Sequence, residues 1–415
     1  MTHGVARTKR CNVLAVIGTV LFLAACSGSD AATDTSTAVE GTGGGANAAN
    51  EGSGAGAGPA GSDASKSGDD AHPGGPVQTT AAGTWRQPQM DGLDLTKNGI
   101  DNFGTHDIEA SQGVVYVGTS YNGVWKSTDG AQSFVKVNTG TNGDKLDVGR
   151  LWTLAVDPTN SDVLYTTPGY GGGGLYKSVN GGVDWEQMLS PEIIDATSEH
   201  IYSIELDPAD SAHILATSHQ PWVEYPNPSG VLESTDGGVT WRVVPPGVDW
   251  GFGNYAMFID STTWLVHTQE GGLWRTADSG ATWNQATEAN MTHGGTNLTR
   301  IGDTLYLGAI GGILRSTDEG ESWDYVGPFD RGAGVYDIES DGTFLWASWG
   351  FATQGEWGER RYVTSPIDDG REWTEQPGDQ SFFNGANGMA YDAVHGVLVS
   401  SNWGAGVWRL DRSDG

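Results

Sequence analysis

The sequence predicts an all-β protein, a single seven-bladed β-propeller, and three observations carry that prediction. An octapeptide rich in Ser, Asp and Gly and closed by an aromatic residue returns along the chain. Its closing aromatics, Phe134, Trp185, Trp241, Trp283, Trp323 and Trp373, stand 51, 56, 42, 40 and 50 residues apart, the period of a four-stranded blade. The 415 residues include 64 Gly with no triplet period, which suits a fold with many turns.

Ahead of the repeats lies an address. Arg7, Lys9 and Arg10 precede an apolar run from Val13 to Ala25. The run is too short for an ordinary membrane span and reads as a secretory signal peptide over residues 1–25. It ends Leu23-Ala24-Ala25-Cys26, which resembles the lipobox of bacterial lipoproteins. The resemblance implies that Cys26 becomes the lipidated first residue and that the protein is extracytoplasmic, anchored to the cell envelope (the outer membrane, where there is one). The only other cysteine, Cys11, leaves with the signal peptide, so no disulfide, Cys-ligated metal or thiol nucleophile is expected. Residues 26–81 are almost wholly Gly, Ala, Ser, Thr and Asp. They cannot bury enough surface to fold and read as a tether with a span on the order of 40 Å.

Residues 82–415 form the repeating domain. The octapeptides begin at Ser127, Ser178, Ser234, Thr276 and Ser316, and a degenerate copy runs from Ser365 to Trp373. Asp and Ser can hydrogen-bond the turn backbone while Gly supplies positive φ. Upstream of each copy lie two short strands and an apolar inner strand. Inner strands are expected to start near Thr105, Leu151, Ile201, Asn254, Thr296, Val335 and Asn387, which makes seven blades. The last blade lacks its outer strand, and Gly83-Thr84-Trp85-Arg86-Gln87 is expected to supply it, so that no sheet edge stays open.

These repeats resemble the Asp-box (BNR) repeat, Ser-x-Asp-x-Gly-x-x-Trp. That family includes sialidases, xyloglucan-cleaving glycoside hydrolases, sortilin-type receptors and photosystem assembly factors. The resemblance covers residues 82–415 and implies the propeller. Functionally it leaves enzymes and pure binders open. Xyloglucan-cleaving members usually pair two propellers, whereas one is read here, and the Arg-containing strand motif of sialidases is not found. No catalytic residue carries over from either.

Composition narrows the partners. A net charge of -31, about -34 once the signal peptide is gone, argues against nucleic acid and against a basic lipid-docking patch. Membrane attachment is therefore expected through Cys26 alone, and a monomer is expected. The octapeptide aspartates Asp129, Asp236, Asp278 and Asp318 read as turn caps rather than acids.

Chemistry is expected at the mouth of the central channel. Aligned inner strands give two neighbouring rings, one holding His106, Trp152, Tyr202, Tyr255 and Tyr336, the other Asp107 and Asp337. Two carboxylates across a channel fit the general acid and base of an inverting glycosidase at a separation of roughly 6.5–9.5 Å; caps from backbone amides would remove them from that role. Asp107, Asp337, His106, Tyr202 and Tyr336 are the candidate catalytic residues. Trp152, Tyr170, His219, Trp222, Glu224, Tyr225, Tyr255, Glu270, Trp349, Trp357, Trp403 and Arg150 are candidate substrate contacts, because flat aromatic faces beside polar groups suit sugars.

The leading expectation is thus a carbohydrate-acting, glycoside hydrolase-like surface protein. The alternative is a non-catalytic glycan- or protein-binding or assembly propeller. A third reading is a polysaccharide lyase, in which Arg150 and Arg300 neutralise a uronate and a histidine (His106, His200, His219, His267 or His293) or a tyrosine moves the protons. No tight His spacing supports a metal, and no cofactor is expected.

Overall fold

In the computed structural model of the chain, the described residues are 83–191, 193, 201–218, 230–245, 250, 254–295, 298–327, 333–351, 359–376, 382–383 and 387–412. Cys26 and the expected leader and tether lie outside them.

Seven small antiparallel sheets make the seven blades, each a meander running from an inner to an outer strand. The inner strands are Thr105–Ser111, Arg150–Val156, Ile201–Asp207, Asn254–Phe258, Leu298–Ile301, Ala333–Ser340 and Gly388–Asp392. All seven expected starts fall within two residues of these bounds. The inner strand of blade seven packs against that of blade one, which closes the ring.

Blade seven brings only three strands of its own, ending at Val407–Asp411. Its outer position is taken by the N-terminal segment, as expected. The Arg86 amide donates to the Arg409 carbonyl at 2.9 Å, and the Arg409 amide returns the bond at 2.8 Å. Trp85 anchors this closure by stacking on Tyr362, with ring centroids 4.6 Å apart.

Each blade is apolar on both faces, and the described core divides accordingly. Seven clusters of buried side chains each bridge one pair of neighbouring blades. Blade-to-blade packing is thus the main hydrophobic stabilisation, and the axis is left for polar groups.

The octapeptides form the outer hairpins. In the first, Asp129 Oδ1 accepts the Gln132 and Ser133 amides at 2.9 and 3.0 Å, and Ser127 Oγ accepts the Ala131 amide at 3.1 Å. The closing indoles cap the same turns: Trp185, Trp241 and Trp323 donate Nε1–H to the carbonyls of Gly182, Gly238 and Gly320 at 2.8, 2.9 and 3.0 Å.

Candidate functional site

The inner strands begin irregularly, and that irregularity builds the site. Register shifts fall between Thr105 and Ile108, Leu151 and Leu154, and Val335 and Asp337. A β-bulge re-aims the side chains beside it. Here it brings the aromatic ring of positions and the carboxylate ring to one place. A cleft with about 400 Å³ of free space out to its open mouth is lined by Asp107, Trp152, Tyr202, Tyr255, Tyr336, Asp337 and Asn387, together with Gly294, Gly295 and Gly388. Gly295 is required by close approach, since a Cβ there would stand 2.3 Å from the Tyr336 carbonyl oxygen.

Six sequence-predicted residues therefore meet in one cleft, and their roles follow from their partners. Asp107 Oδ1 accepts the Ile108 amide at 2.9 Å, and Oδ2 accepts the Leu154 amide of blade two at 2.7 Å. Asp337 repeats the arrangement between blades six and seven: Oδ1 accepts the Ile338 amide at 2.8 Å and Oδ2 the Met389 amide at 2.5 Å. Ser203 Oγ accepts the Ala256 amide at 3.1 Å, which joins blade three to blade four in the same way. An inner strand is an edge strand with amides facing the axis, and the preceding blade satisfies one of them. Both carboxylates thus clamp one blade to the next. This is the capping that weighs against their use as acid and base.

Electrostatics weighs the other way. Burial raises the Asp107 carboxyl to about 7 against the pull of its two amide bonds. Burial, then the Glu339 carboxylate, pushes Asp337 well above the usual range. Below them on the axis stand three more acids. Burial raises Glu205 to about 8 and Glu339 to about 7. Glu109 is also raised, by burial and then by Asp107, Glu205, Glu339 and Asp337. These three were missed in the sequence, although each lies two residues beyond Asp107, Ser203 or Asp337, where strand alternation would place it.

Around the cleft runs an aromatic and cationic stack. The Arg150 guanidinium lies 3.9 Å from the Phe103 ring centre, Phe103 stacks on Trp403 at 5.4 Å, and the Arg360 guanidinium lies 4.7 Å from Trp403 and 3.4 Å from Tyr336. Arg150 is also tied to Asp101, through its carbonyl at 3.0 Å. Tyr170 stands edge-on to Trp152 at 5.8 Å. The Tyr202 hydroxyl accepts the Gly294 amide at 3.0 Å. Arg360 and Phe103 were not singled out in the sequence; the signal for Arg360 was a pair of adjacent arginines in a chain with only 21 basic residues.

The remaining candidates lie elsewhere. His106 is fully buried behind Trp152, whose ring centre is 4.6 Å away, and it does not line the cleft. Its Nε2 bonds Ser120 Oγ at 2.6 Å, and burial lowers its pKa to about 3, so the ring is neutral. Trp349 packs into the core between blades five and six, and Glu270 is exposed away from the cleft. His219, Trp222, Glu224, Tyr225, Trp357 and His200 lie outside the described residues. His267 is buried, with Nε2 on the Ala289 carbonyl at 2.9 Å.

No protein-family profile matches the chain. A curated xyloglucanase of Hypocrea jecorina (strain QM6a) is 25% identical in a 314-residue alignment that covers 60% of this chain. The chain spans only about a third, 36%, of that relative's length. Among solved structures, the GH74 xyloglucanase from Xanthomonas campestris superposes with a TM-score of 0.55 at 17% identity, covering 80% of this chain and 54% of that one. YCF48 bound to D1 peptide gives 0.52 at 13% identity, covering 80% of this chain and 97% of that one. The structural likenesses establish the propeller fold.

Proposed function

We propose that this protein is a carbohydrate-acting propeller of glycoside hydrolase-like build, which takes a glycan at the mouth of its central channel. The observation that carries the proposal is the cleft itself: four aromatic side chains, Trp152, Tyr202, Tyr255 and Tyr336, around two carboxyls, Asp107 and Asp337. Ring faces take the CH faces of a sugar, and carboxyls take its hydroxyls. The similarity to a xyloglucanase supports the substrate class. The proposal includes the address, with a signal peptide over 1–25, lipid on Cys26, a tether to residue 81 and the propeller over 82–415, outside the cytoplasm.

The hydrolytic form would use Asp107 and Asp337, both raised above the usual carboxylate range by burial, as its acid–base pair, and the backbone amides that cap both carboxyls stand against it. Tyr336 and Tyr202 border the reacting bond in that form. A second reading, a non-catalytic glycan or protein binder, is favoured by the amide caps on both carboxyls.

A glycan screen separates the two, with xyloglucan oligosaccharides among the probes and binding and product release scored together on the full chain, Asp107→Asn and Asp337→Asn. Cleavage lost in both variants with binding kept establishes the hydrolase. Binding without turnover by the wild type establishes the binder. Silence on every glycan overturns the carbohydrate reading and turns attention to a protein ligand.

A further inference from the structure

The lining of the cleft carries one sign of charge. Asp107 and Asp337 stand in it with four aromatic side chains, Asn387 and three glycines, and no Lys, Arg or His is among them. Glu109, Glu205 and Glu339 lie below on the axis. Among the described residues none of these five acids forms an ion pair. Their field reaches the cleft: Tyr255, which lines it, is raised by burial and then by Asp107, Glu205, Glu109 and Asp337. Enclosing carboxylates together without a cation is unfavourable. A ligand that brings a cation to the cleft relieves that strain, and the chain's net charge of -31 favours its approach.

The aromatic side chains favour the same ligand. A cation is attracted to the face of a Trp or Tyr ring within about 6 Å. Two rings of the cleft already hold one from within the chain: Arg360 lies 3.4 Å from the Tyr336 ring centre and Arg150 5.7 Å from that of Trp152. Neither guanidinium lines the cleft. The amides that cap Asp107 and Asp337 leave acceptor room, because two amides on each take about half of the lone-pair sites of a carboxylate. Burial raises both carboxyls, and an ammonium beside them favours their charged form again. Among the described residues no three of His, Cys, Asp and Glu stand together as metal ligands, so the cation sought is an organic ammonium. A sugar ring that carries one meets these conditions. Its N–H groups reach the carboxylates, and Trp152, Tyr202 and Tyr255 can take the rest of the ring.

We infer that the cleft binds an amino sugar through its free ammonium, held by Asp107 and Asp337, so that the glycan is one with unacetylated amino groups. The inference rests on the carbohydrate reading above and narrows it to a basic sugar.

The test compares one ligand with and without its charge. The full chain is titrated at about pH 6, where an amine is charged, following Trp fluorescence and heat. The probes are a glucosamine oligosaccharide, its N-acetylated form, a neutral xyloglucan oligosaccharide and an oligolysine peptide of the same charge as the first. The free amine is expected to bind about 10- to 100-fold tighter than the N-acetylated form, the worth of hydrogen bonds to a charged group. Asp107→Asn and Asp337→Asn are each expected to remove most of that difference. The wild-type comparison needs no variant, so misfolding of either one, read by thermal unfolding, leaves the test intact. Amine and N-acetylated form bound alike, or the latter bound tighter, overturn the inference. So does a preference for the amine that persists in both folded variants. Oligolysine bound as tightly as the amine overturns it too, and gives the cleft to a basic protein segment. Tight binding of the xyloglucan oligosaccharide alone overturns it while the carbohydrate reading stands. Binding of none of the four sinks both.

Discussion

Two sets of carboxylates in this molecule face opposite electrostatic conditions. At the rim, the hairpin aspartates sit among donors. The Ser322 hydroxyl and amide hold Asp318 down to about 2, and at Asp129 the Ser133 hydroxyl and amide outweigh some burial to the same result. On the axis, Asp107, Glu109, Glu205, Asp337 and Glu339 share an enclosed space. All five are raised, first by enclosure and, for most of them, by neighbouring carboxylates as well. Aspartates occur in both sets, so residue type does not decide the charge state. The number of donors reaching each oxygen, set against enclosure and like charge, decides it.

This contrast governs how stability varies with pH, and here the largest effect is expected. An axis acid binds its proton in the folded state above the pH where the unfolded chain has released it. Its contribution is therefore neutral below about 4 and increasingly destabilising as pH rises towards its folded value. For Asp107, Glu205 and Glu339 that window runs from about 4 to about 7–8. Raising a pKa by one costs about 1.4 kcal/mol once the group is ionised, so if a third of the rise survives screening by channel water, the three together cost on the order of 4 kcal/mol at pH 8. The melting temperature should fall by several degrees between pH 5 and pH 8.5. A flat or rising curve across that window would break the contrast at its axis end.

A single substitution isolates one of the axis acids. Glu205→Gln keeps the shape of the side chain and removes the proton equilibrium. At pH 8 it should raise stability by about 1–2 kcal/mol, and at pH 5 it should change little. Calorimetry of the variant against the wild type at both pH values checks this. Equal effects at the two pH values would mean that packing, not charge, governs the site.

The two regions also differ in how far the sequence reveals them. The rim was legible because its chemistry is local: Ser127, Asp129, Ala131 and Ser133 lie within seven residues, and the side-chain caps of the turn come from the octapeptide itself. Counting inner-strand starts then gave the blade number, and the incomplete last blade pointed to Trp85 and Arg86 as its closure. The axis was legible only in part. Alternation placed Asp107 with Asp337 and Trp152 with Tyr202 and Tyr336, but as separate rings; the register shifts at the strand starts bring them into one cleft. The amides that cap Oδ2 of Asp107 and of Asp337 belong to the next blade, 47 and 52 residues away. Arg360 meets Tyr336 and Trp403, which stand far apart in the chain. No window of the sequence contains such partners. His106 failed as a cleft residue for the same reason: what covers it is Trp152 of the neighbouring blade.

The smallest effect lies at the rim, and there the sign reverses. A carboxylate with a depressed pKa contributes stability that is present above its unfolded value near 4 and is lost as pH falls through about 2. The rim therefore sets the acid limb of the curve and the axis the alkaline limb, with a maximum near pH 4–5. Asp129→Ala removes the acceptor of the Gln132 and Ser133 amides and of the Ser133 hydroxyl. Water reaches this hairpin, so the loss should be only about 1 kcal/mol at pH 7. Asp129→Asn keeps one carbonyl oxygen for the amides and should lose less. Urea unfolding of both variants at pH 7 and pH 3 reads the prediction: the cost of Asp129→Ala should shrink at pH 3 as the wild-type carboxylate nears its own protonation. A cost that grows on acidification would mean that the rim and axis carboxylates do not behave as opposites.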